Sequence, residues 1–320
     1  MMYARRNFLL GASASAAALI LTPRTSQALV LGAGPAGAAA ALSMARSRPD
    51  VSVVLIERDP TRLNPAMPRA GQLRRVDTNI QLDDLKGAGV SVLLDEATGI
   101  DWRAKRLDLL SGRTLAFDRI CLAPGGEAVA EDITGLDARA RHLWPAAWGH
   151  AREAHRLSAQ LARMARDGHV VLRLPGEVSH PDVAFDRAVW LARFGARLTV
   201  LDGGCHTALK HAVLRNTAGR AVDWHVEGRG GRVLAVDAST GAITTDAGQL
   251  RADVVNFVPQ QGAGRIARVS GLTDVTGWCP VDAQARSLLR PEVTLLGDAQ
   301  TRARRTAVHA MRTAEEIRWG

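Results

Sequence analysis

Short apolar runs alternate along the chain with turn-forming clusters and with segments of helical spacing. Ala28-Leu29-Val30-Leu31 is the first run and Val51-Ser52-Val53-Val54-Leu55-Ile56 the second. Between them lies a small-residue stretch, Ala38 to Met44, with no strand alternation and no breaker. Near-continuous apolar runs of strand length mark strands buried on both faces, so strand, helix and parallel strand are expected from Leu29 to Ile56.

Further on, Leu82 to Leu85 opens a helix ending near Lys86-Gly87, and Val90 to Leu94 is a third parallel strand. Leu107 to Leu110 and Thr114 to Phe117 flank the turn Ser111-Gly112, a hairpin signal. They feed the strand Arg119 to Leu122, which ends at Ala123-Pro124-Gly125-Gly126. The arrangement recurs: Arg232 to Val236, a turn at Ser239-Thr240-Gly241, and Ala242 to Thr245 lead into Asp253 to Val258, ending at Pro259. Between the two lie a helix from Ala151 to Arg166, a strand Val170 to Leu174, a helix Asp182 to Phe194 and a strand Leu198 to Asp202. Glu292 to Leu296 reads as a last buried strand, and about Thr306 to Ile317 as a last helix. The pattern predicts an α/β protein of two doubly wound dinucleotide-binding-type domains with meander crossovers, the second inserted in the first. The boundaries expected are 29–135 and 251–320 for the first domain and 136–250 for the second.

Residues 1–28 read as an export signal. Arg5-Arg6-Asn7-Phe8-Leu9-Leu10 has the twin arginine, Gly11 to Leu21 is a modest apolar region, and Ser26-Gln27-Ala28 supplies small residues for cleavage. That apolar region is well short of the ~20 residues a membrane span needs. A periplasmic protein is therefore expected, although a cut after Ala28 would leave Leu29 as the first residue of the first strand.

Composition narrows the partners. The formal charge is +9, almost all of it carried by dispersed arginines that are not interleaved with aromatics, so nucleic acid is excluded. A basic surface of this kind is either simply solvated or faces an acidic partner. Cys121, Cys205 and Cys279 are odd in number, which leaves at least one thiol without an intramolecular partner.

The chemistry begins at Gly32-Ala33-Gly34-Pro35-Ala36-Gly37. Gly32 permits the tight turn, Gly34 lets the backbone approach a pyrophosphate, and Gly37 lets the helix pack on the strand. Glu57 follows the last glycine by about 20 residues, where a carboxylate takes a ribose hydroxyl. The corresponding turn of the second unit, Pro175-Gly176-Glu177-Val178-Ser179-His180, has one glycine and a negative charge where a pyrophosphate would sit. NAD(P)H is therefore not expected to deliver electrons. Asp298, in Gly297-Asp298-Ala299 at the end of the last strand, can accept hydrogen bonds from a sugar-alcohol chain or can serve as a helix cap.

These residues, together with Arg251 to Gln261, Gly271-Leu272-Thr273, Gly277-Trp278-Cys279-Pro280-Val281-Asp282, Ala97 to Asp101, Asp118-Arg119 and Pro145-Ala146-Ala147-Trp148, resemble two-dinucleotide-fold flavoproteins. The resemblance is greatest to the flavin subunit of flavocytochrome c sulfide dehydrogenase and covers nearly all of residues 29–320. It implies FAD held across Gly32, Gly34, Gly37, Glu57, Ala97, Ala123, Pro124, Gly125 and Asp298. It also implies a small reduced sulfur species as substrate, with a c-type cytochrome subunit as acceptor. In that family a cysteine pair beside the flavin receives the sulfur. Cys279 matches one member, and the other position holds His180. The chain also stops soon after the flavin-facing helix, whereas the family continues.

Three readings follow. The first is an exported FAD oxidoreductase with Cys279 carrying sulfur and His180 exchanging a proton with it. The second is a flavin-binding or flavin-free partner subunit whose chemistry has lapsed. The third is a flavoenzyme of another substrate class using no thiol. Cys279 as a small buried residue and His180 as a surface turn residue are the bland alternatives.

Overall fold

The computed structural model describes residues 26–63, 80–148 and 151–319. The twin arginine and most of the proposed leader lie outside the described residues. Ser26, Gln27 and Ala28 do not: they are the first half of strand β1 (Ser26–Leu31), and Ala28 is fully buried between Val53 and Arg119. The folded unit thus begins at least three residues before the expected boundary.

After β1 the chain runs through α1 (Pro35–Ser47), β2 (Val51–Glu57), α2 (Leu82–Gly87) and β3 (Ser91–Leu94). A meander follows, β4 (Ala97–Asp101), β5 (Arg106–Leu109) and β6 (Thr114–Ala116), and then β7 (Arg119–Leu122) and β8 (Gly126–Ala128). The second unit comprises α3 (Ala138–Leu143), α4 (Ala151–Arg163), β9 (His169–Leu174), α5 (Pro181–Leu191), β10 (Arg197–Asp202), α6 (Thr207–Asn216) and β11 (Val222–Val226). It continues through a second meander, β12 (Val233–Asp237), β13 (Ala242–Thr245) and β14 (Gly248–Arg251), to β15 (Val254–Phe257). The chain returns through β16 (Gln261–Ala263) and α7 (Arg265–Val269) to β17 (Val293–Leu295) and α8 (Ala307–Glu316).

The first unit is a five-stranded parallel sheet in the order β17-β7-β1-β2-β3; the second is a four-stranded parallel sheet, β11-β10-β9-β15. Because β15 pairs in parallel with β9, the second sheet takes in residues up to Phe257, past the boundary expected at residue 250. Its four residues are all buried, which is what a strand covered on both faces requires. Strand β16 pairs antiparallel with β8 and joins the outgoing and returning connections.

Each sheet is covered on two faces. Ala36 to Ala41 and Met44 bury the small-residue face of α1 against β1 and β2, and Ala310 and Ala314 of α8 join that cluster. The opposite face carries Leu29, Leu31, Ile56, Leu122 and Leu295 under the first meander and α7. Full burial of a Leu of this kind contributes ~1.5–3 kcal/mol, which fixes the strand order and places the C-terminal ends of β1, β2, β7 and β17 side by side.

Candidate functional site

At the end of β1 the backbone turns on Gly32, whose φ is +96° and whose N–H donates to the Ile56 carbonyl (2.8 Å). Gly37 lies so close that a Cβ there would stand 1.8 Å from the Gly32 oxygen. Gly34 differs: a Cβ built on it meets nothing within 4 Å. It faces open space ahead of α1, whose N-terminus has no side-chain cap and carries Pro35 in its first turn. The first-turn N–H groups are thus left to an anion, and the approach suits a pyrophosphate.

Glu57 is buried beside this turn. One carboxylate oxygen accepts the Ala33 N–H (2.5 Å) and the other the Asp59 N–H (2.7 Å), each keeping a second lone pair for a ribose hydroxyl. Ala123 follows β7 and donates its N–H to the Leu31 carbonyl (2.8 Å); Pro124 and Gly125 (φ +68°) come next, the Gly125 carbonyl accepting from Gly264 N–H (2.9 Å). Gly297 abuts α1, its notional Cβ 3.0 Å from that of Ala36, which brings Asp298 to the same end of the sheet. Ala97 opens β4 opposite Leu109 and packs half-buried on the meander side. The fold therefore gathers Gly32, Gly34, Gly37, Glu57, Ala123 to Gly125 and Asp298 at one end of the sheet, with Ala97 at its margin. This donor set fits FAD.

His180 comes from the other unit, as the residue before α5. Its Nε2–H donates to Asp298 Oδ2 (3.0 Å), Ser179 Oγ lies 2.8 Å from its Nδ1, and its ring meets Trp148 edge-on with centroids 6.1 Å apart. Burial raises the affinity of Asp298 for a proton, but the His180 hydrogen bond and the charges of His180, Arg305 and Arg62 outweigh it, so the carboxyl titrates below its ordinary value. Arg305 donates to the carbonyls of Asp298 (3.0 Å) and Gln300 (3.1 Å) while its guanidinium covers the Trp278 ring at 3.8 Å.

The expected pairing of His180 with Cys279 does not form. Cys279 is fully buried among Leu29, Ala263, Leu272 and Ala299, and its side chain makes no hydrogen bond among the described residues. Its backbone is locked to the turn after β17, the N–H donating to Ala299 and the carbonyl accepting from Thr301. Burial, aided by Asp274, pushes the thiol up to about 12, and a thiolate is the form sulfur chemistry needs. Cys121 is buried inside β7 and likewise pushed up to about 12; Cys205 alone is exposed. For both buried thiols the leading reason is the same: an apolar site disfavours the charged sulfur.

In the second unit, the turn after β9 packs backbone to backbone on the turn after β10. Gly203 N–H donates to the Leu174 carbonyl (3.0 Å), and a Cβ on Gly204 would stand 2.5 Å from the Gly176 oxygen. Asp202 ends β10 as Glu57 ends β2, a correspondence the sequence reading missed. Its oxygens accept from Gly204 N–H, His206 N–H, His206 Nδ1–H (2.5 Å) and Trp224 Nε1–H (3.0 Å), and it is fully buried. This carboxylate is spent internally rather than offered to a ribose.

Two buried arginines also escaped the sequence reading. Arg173 of β9 makes a two-point ion pair with Glu131, whose carboxylate also accepts the Gln260 N–H, pinning both connections between the units. Arg187 of α5 donates to Asn256 Oδ1 (2.7 Å) and to the carbonyls of Ala146 and Ala147, holding the strap that carries Trp148. Only the pairing of apolar with charged positions inside β9 and α5 hinted at either. Among the described residues no cluster of His, Cys, Asp or Glu is arranged to hold a metal ion, and no helix is long and apolar enough to cross a membrane.

Residues 26–170 match the family model for pyridine nucleotide-disulphide oxidoreductases. Among solved structures, the sulfide:quinone oxidoreductase of the hyperthermophilic bacterium Aquifex aeolicus is similar at 18% identity and a TM-score of 0.65, over 91% of this chain and 75% of that one. The thioredoxin reductase of Lactococcus lactis is similar at 16% identity and 0.65, over 91% and 96%. A NAD-dependent persulfide reductase from A. fulgidus is similar at 19% and 0.65, over 90% and 58%. At these identities the likeness establishes a shared fold.

Proposed function

We propose, from the match of residues 26–170 to the pyridine nucleotide-disulphide oxidoreductases, that this protein is an FAD-dependent oxidoreductase. The observation that carries the reading is the open approach at Gly34, ahead of an uncapped helix and beside Glu57. Bound there, the flavin would supply two-electron acceptance from a donor and release of those electrons to an acceptor. The chain's own groups bind and orient: the first turn of α1 takes the pyrophosphate, Glu57 the ribose, and Asp298 the polyol chain. Thr306 caps the first turn of α8, and Arg305 just before it donates to the Asp298 carbonyl (3.0 Å), so the positive end of α8 begins beside the same region.

The donor we assign is a small reduced sulfur species, and the acceptor a c-type cytochrome in the periplasm after twin-arginine export. The support is the resemblance of the motifs around Cys279 and Asn256 to sulfide dehydrogenase flavoproteins, beside neighbours in fold whose names include a sulfide:quinone oxidoreductase and a persulfide reductase. The buried, protonated Cys279 argues against a sulfur carrier and for donor oxidation without a thiol relay. The same burial favours a second reading, a flavin-binding or flavin-free partner subunit whose chemistry has lapsed. The spectrum of the purified protein separates them. A flavin band bleached by anaerobic sulfide or thiosulfate and restored by a cytochrome c supports the enzyme; a colourless protein that takes up no FAD supports the lapsed subunit.

A further inference from the structure

We infer that His180 is a positioning residue of the flavin site: reaching across from the second unit, it orients Asp298 so that the free carboxylate oxygen faces the polyol chain of the cofactor. The inference rests on the FAD reading above and concerns a residue whose sequence context suggested proton transfer to sulfur instead.

The ring of His180 is placed for one task. It precedes α5 without capping it, its backbone (φ −131°, ψ 80°) leading into Pro181, and the side chain turns away from the helix toward β17. Both nitrogens are engaged, Nδ1 with the hydroxyl of buried Ser179 and Nε2 with Asp298 Oδ2, so neither is left to exchange a proton with a substrate. Nε2–H donates to the carboxylate, which can only accept, while the Ser179 hydroxyl lies within hydrogen-bond reach of Nδ1. Trp148, held on its strap by Arg187, closes one edge of the ring.

Asp298 is the complement. Oδ2 is taken by His180, whereas Oδ1 makes no hydrogen bond among the described residues, and the residue sits where Gly297 touches the start of α1. A carboxylate held at one oxygen presents the other in a fixed direction, as ligands held by a second partner do elsewhere. The charged groups facing the pair are Arg305 and Arg62 from the first unit and Glu177 from the second. Flavin affinity is thus shared between the units, because the donor that aligns Asp298 stands just before α5 while Asp298 itself follows β17.

The test is titration of FAD with apoprotein, reading Kd from flavin fluorescence. His180→Ala is expected to weaken binding about ten-fold, the loss of one charge-assisted hydrogen bond. His180→Gln, which keeps an N–H able to reach Asp298, is expected to restore affinity to within about three-fold of wild type. In an Asp298→Ala background His180→Ala should change nothing further. His180→Leu keeps the bulk under Trp148 and repeats the measurement without the donor, and melting curves of each apoprotein establish that it is folded. Equal affinity of wild type and His180→Ala, or the same loss in both Asp298 backgrounds, overturns the inference alone. Wild type binding FAD no better than Gly34→Val overturns the flavin reading, and this inference with it.

Discussion

Gly37 packs on Gly32 with no room for a side chain, since a Cβ at 37 would lie 1.8 Å from the Gly32 carbonyl oxygen. Gly34, three residues earlier, has open space instead. The two glycines should therefore fail differently. Gly37→Ala is expected to separate α1 from β1 and lower Tm by several degrees, with flavin lost as a consequence. Gly34→Val is expected to leave Tm of the apoprotein nearly unchanged and to abolish flavin retention. Calorimetry beside the ratio of flavin to protein absorbance distinguishes them, and equal effects on both quantities would contradict the assignment.

Arg173 and Glu131 have side chains 7% and 12% exposed. Removing one partner strands a buried charge, so Arg173→Met is expected to cost about 3–5 kcal/mol in urea denaturation. The double variant Arg173→Met, Glu131→Gln keeps an acceptor for the Gln260 N–H without that charge, and is expected to be the more stable of the two. A double variant weaker than the single would show that the pair does not act as a unit.

The Asp202 and His206 pair sets a pH window. The Asp202 hydrogen bond, opposed by burial, raises the imidazole above its ordinary 6.5. Its stabilisation is fully present below 6.5 and is lost as pH rises through the raised value. Burial of Asp202 favours its protonated form but is outweighed by hydrogen bonds from His206 and Trp224, so the carboxyl stands below its ordinary 3.8. That contribution is present above 3.8 and lost as pH falls through the lowered value. His206→Gln should flatten the stability profile above 6.5, measured by denaturation at a series of pH values; an unchanged slope there would refute the assignment.

Thiol accessibility follows from burial. Native protein is expected to react with an aromatic disulfide reagent at pH 8 through Cys205 alone, with Cys121 and Cys279 reacting only after denaturation. Rapid modification of Cys279 in the folded protein would reinstate it as a sulfur carrier.

NADH and NADPH are expected to bleach the flavin no faster than a free-flavin control. Gly176 is packed against Gly204, Asp202 is engaged by His206 and Trp224, and Glu177 adds negative charge at the same turn. Fast reduction by either nucleotide, followed by stopped flow, would overturn this.

The local features are legible in the order of the residues alone. Apolar runs identified β1, β2, β7, β9, β10 and β17, because strands buried on both faces must be apolar almost throughout. The glycine spacing located the tight turn after β1, since a left-handed backbone at Gly32 and close helix packing at Gly37 leave no other residue there. Less regular elements were not legible. Val222 to Val226 alternates Asp, Trp and His at the edge of the second sheet, and α6 has too weak an apolar stripe to declare itself. Strands β8 and β16 are three residues each and pair across more than a hundred positions, so neither carries a local signal. The surroundings of Cys279 and His180 depend instead on how distant segments pack. Nothing near Cys279 in the chain announces that its sulfur would be buried, and nothing near His180 announces Asp298. Burial and long-range hydrogen bonding depend on which strands become neighbours, and they turned an expected thiol and imidazole pair into a core cysteine and a carboxylate aligned by a histidine from the other unit.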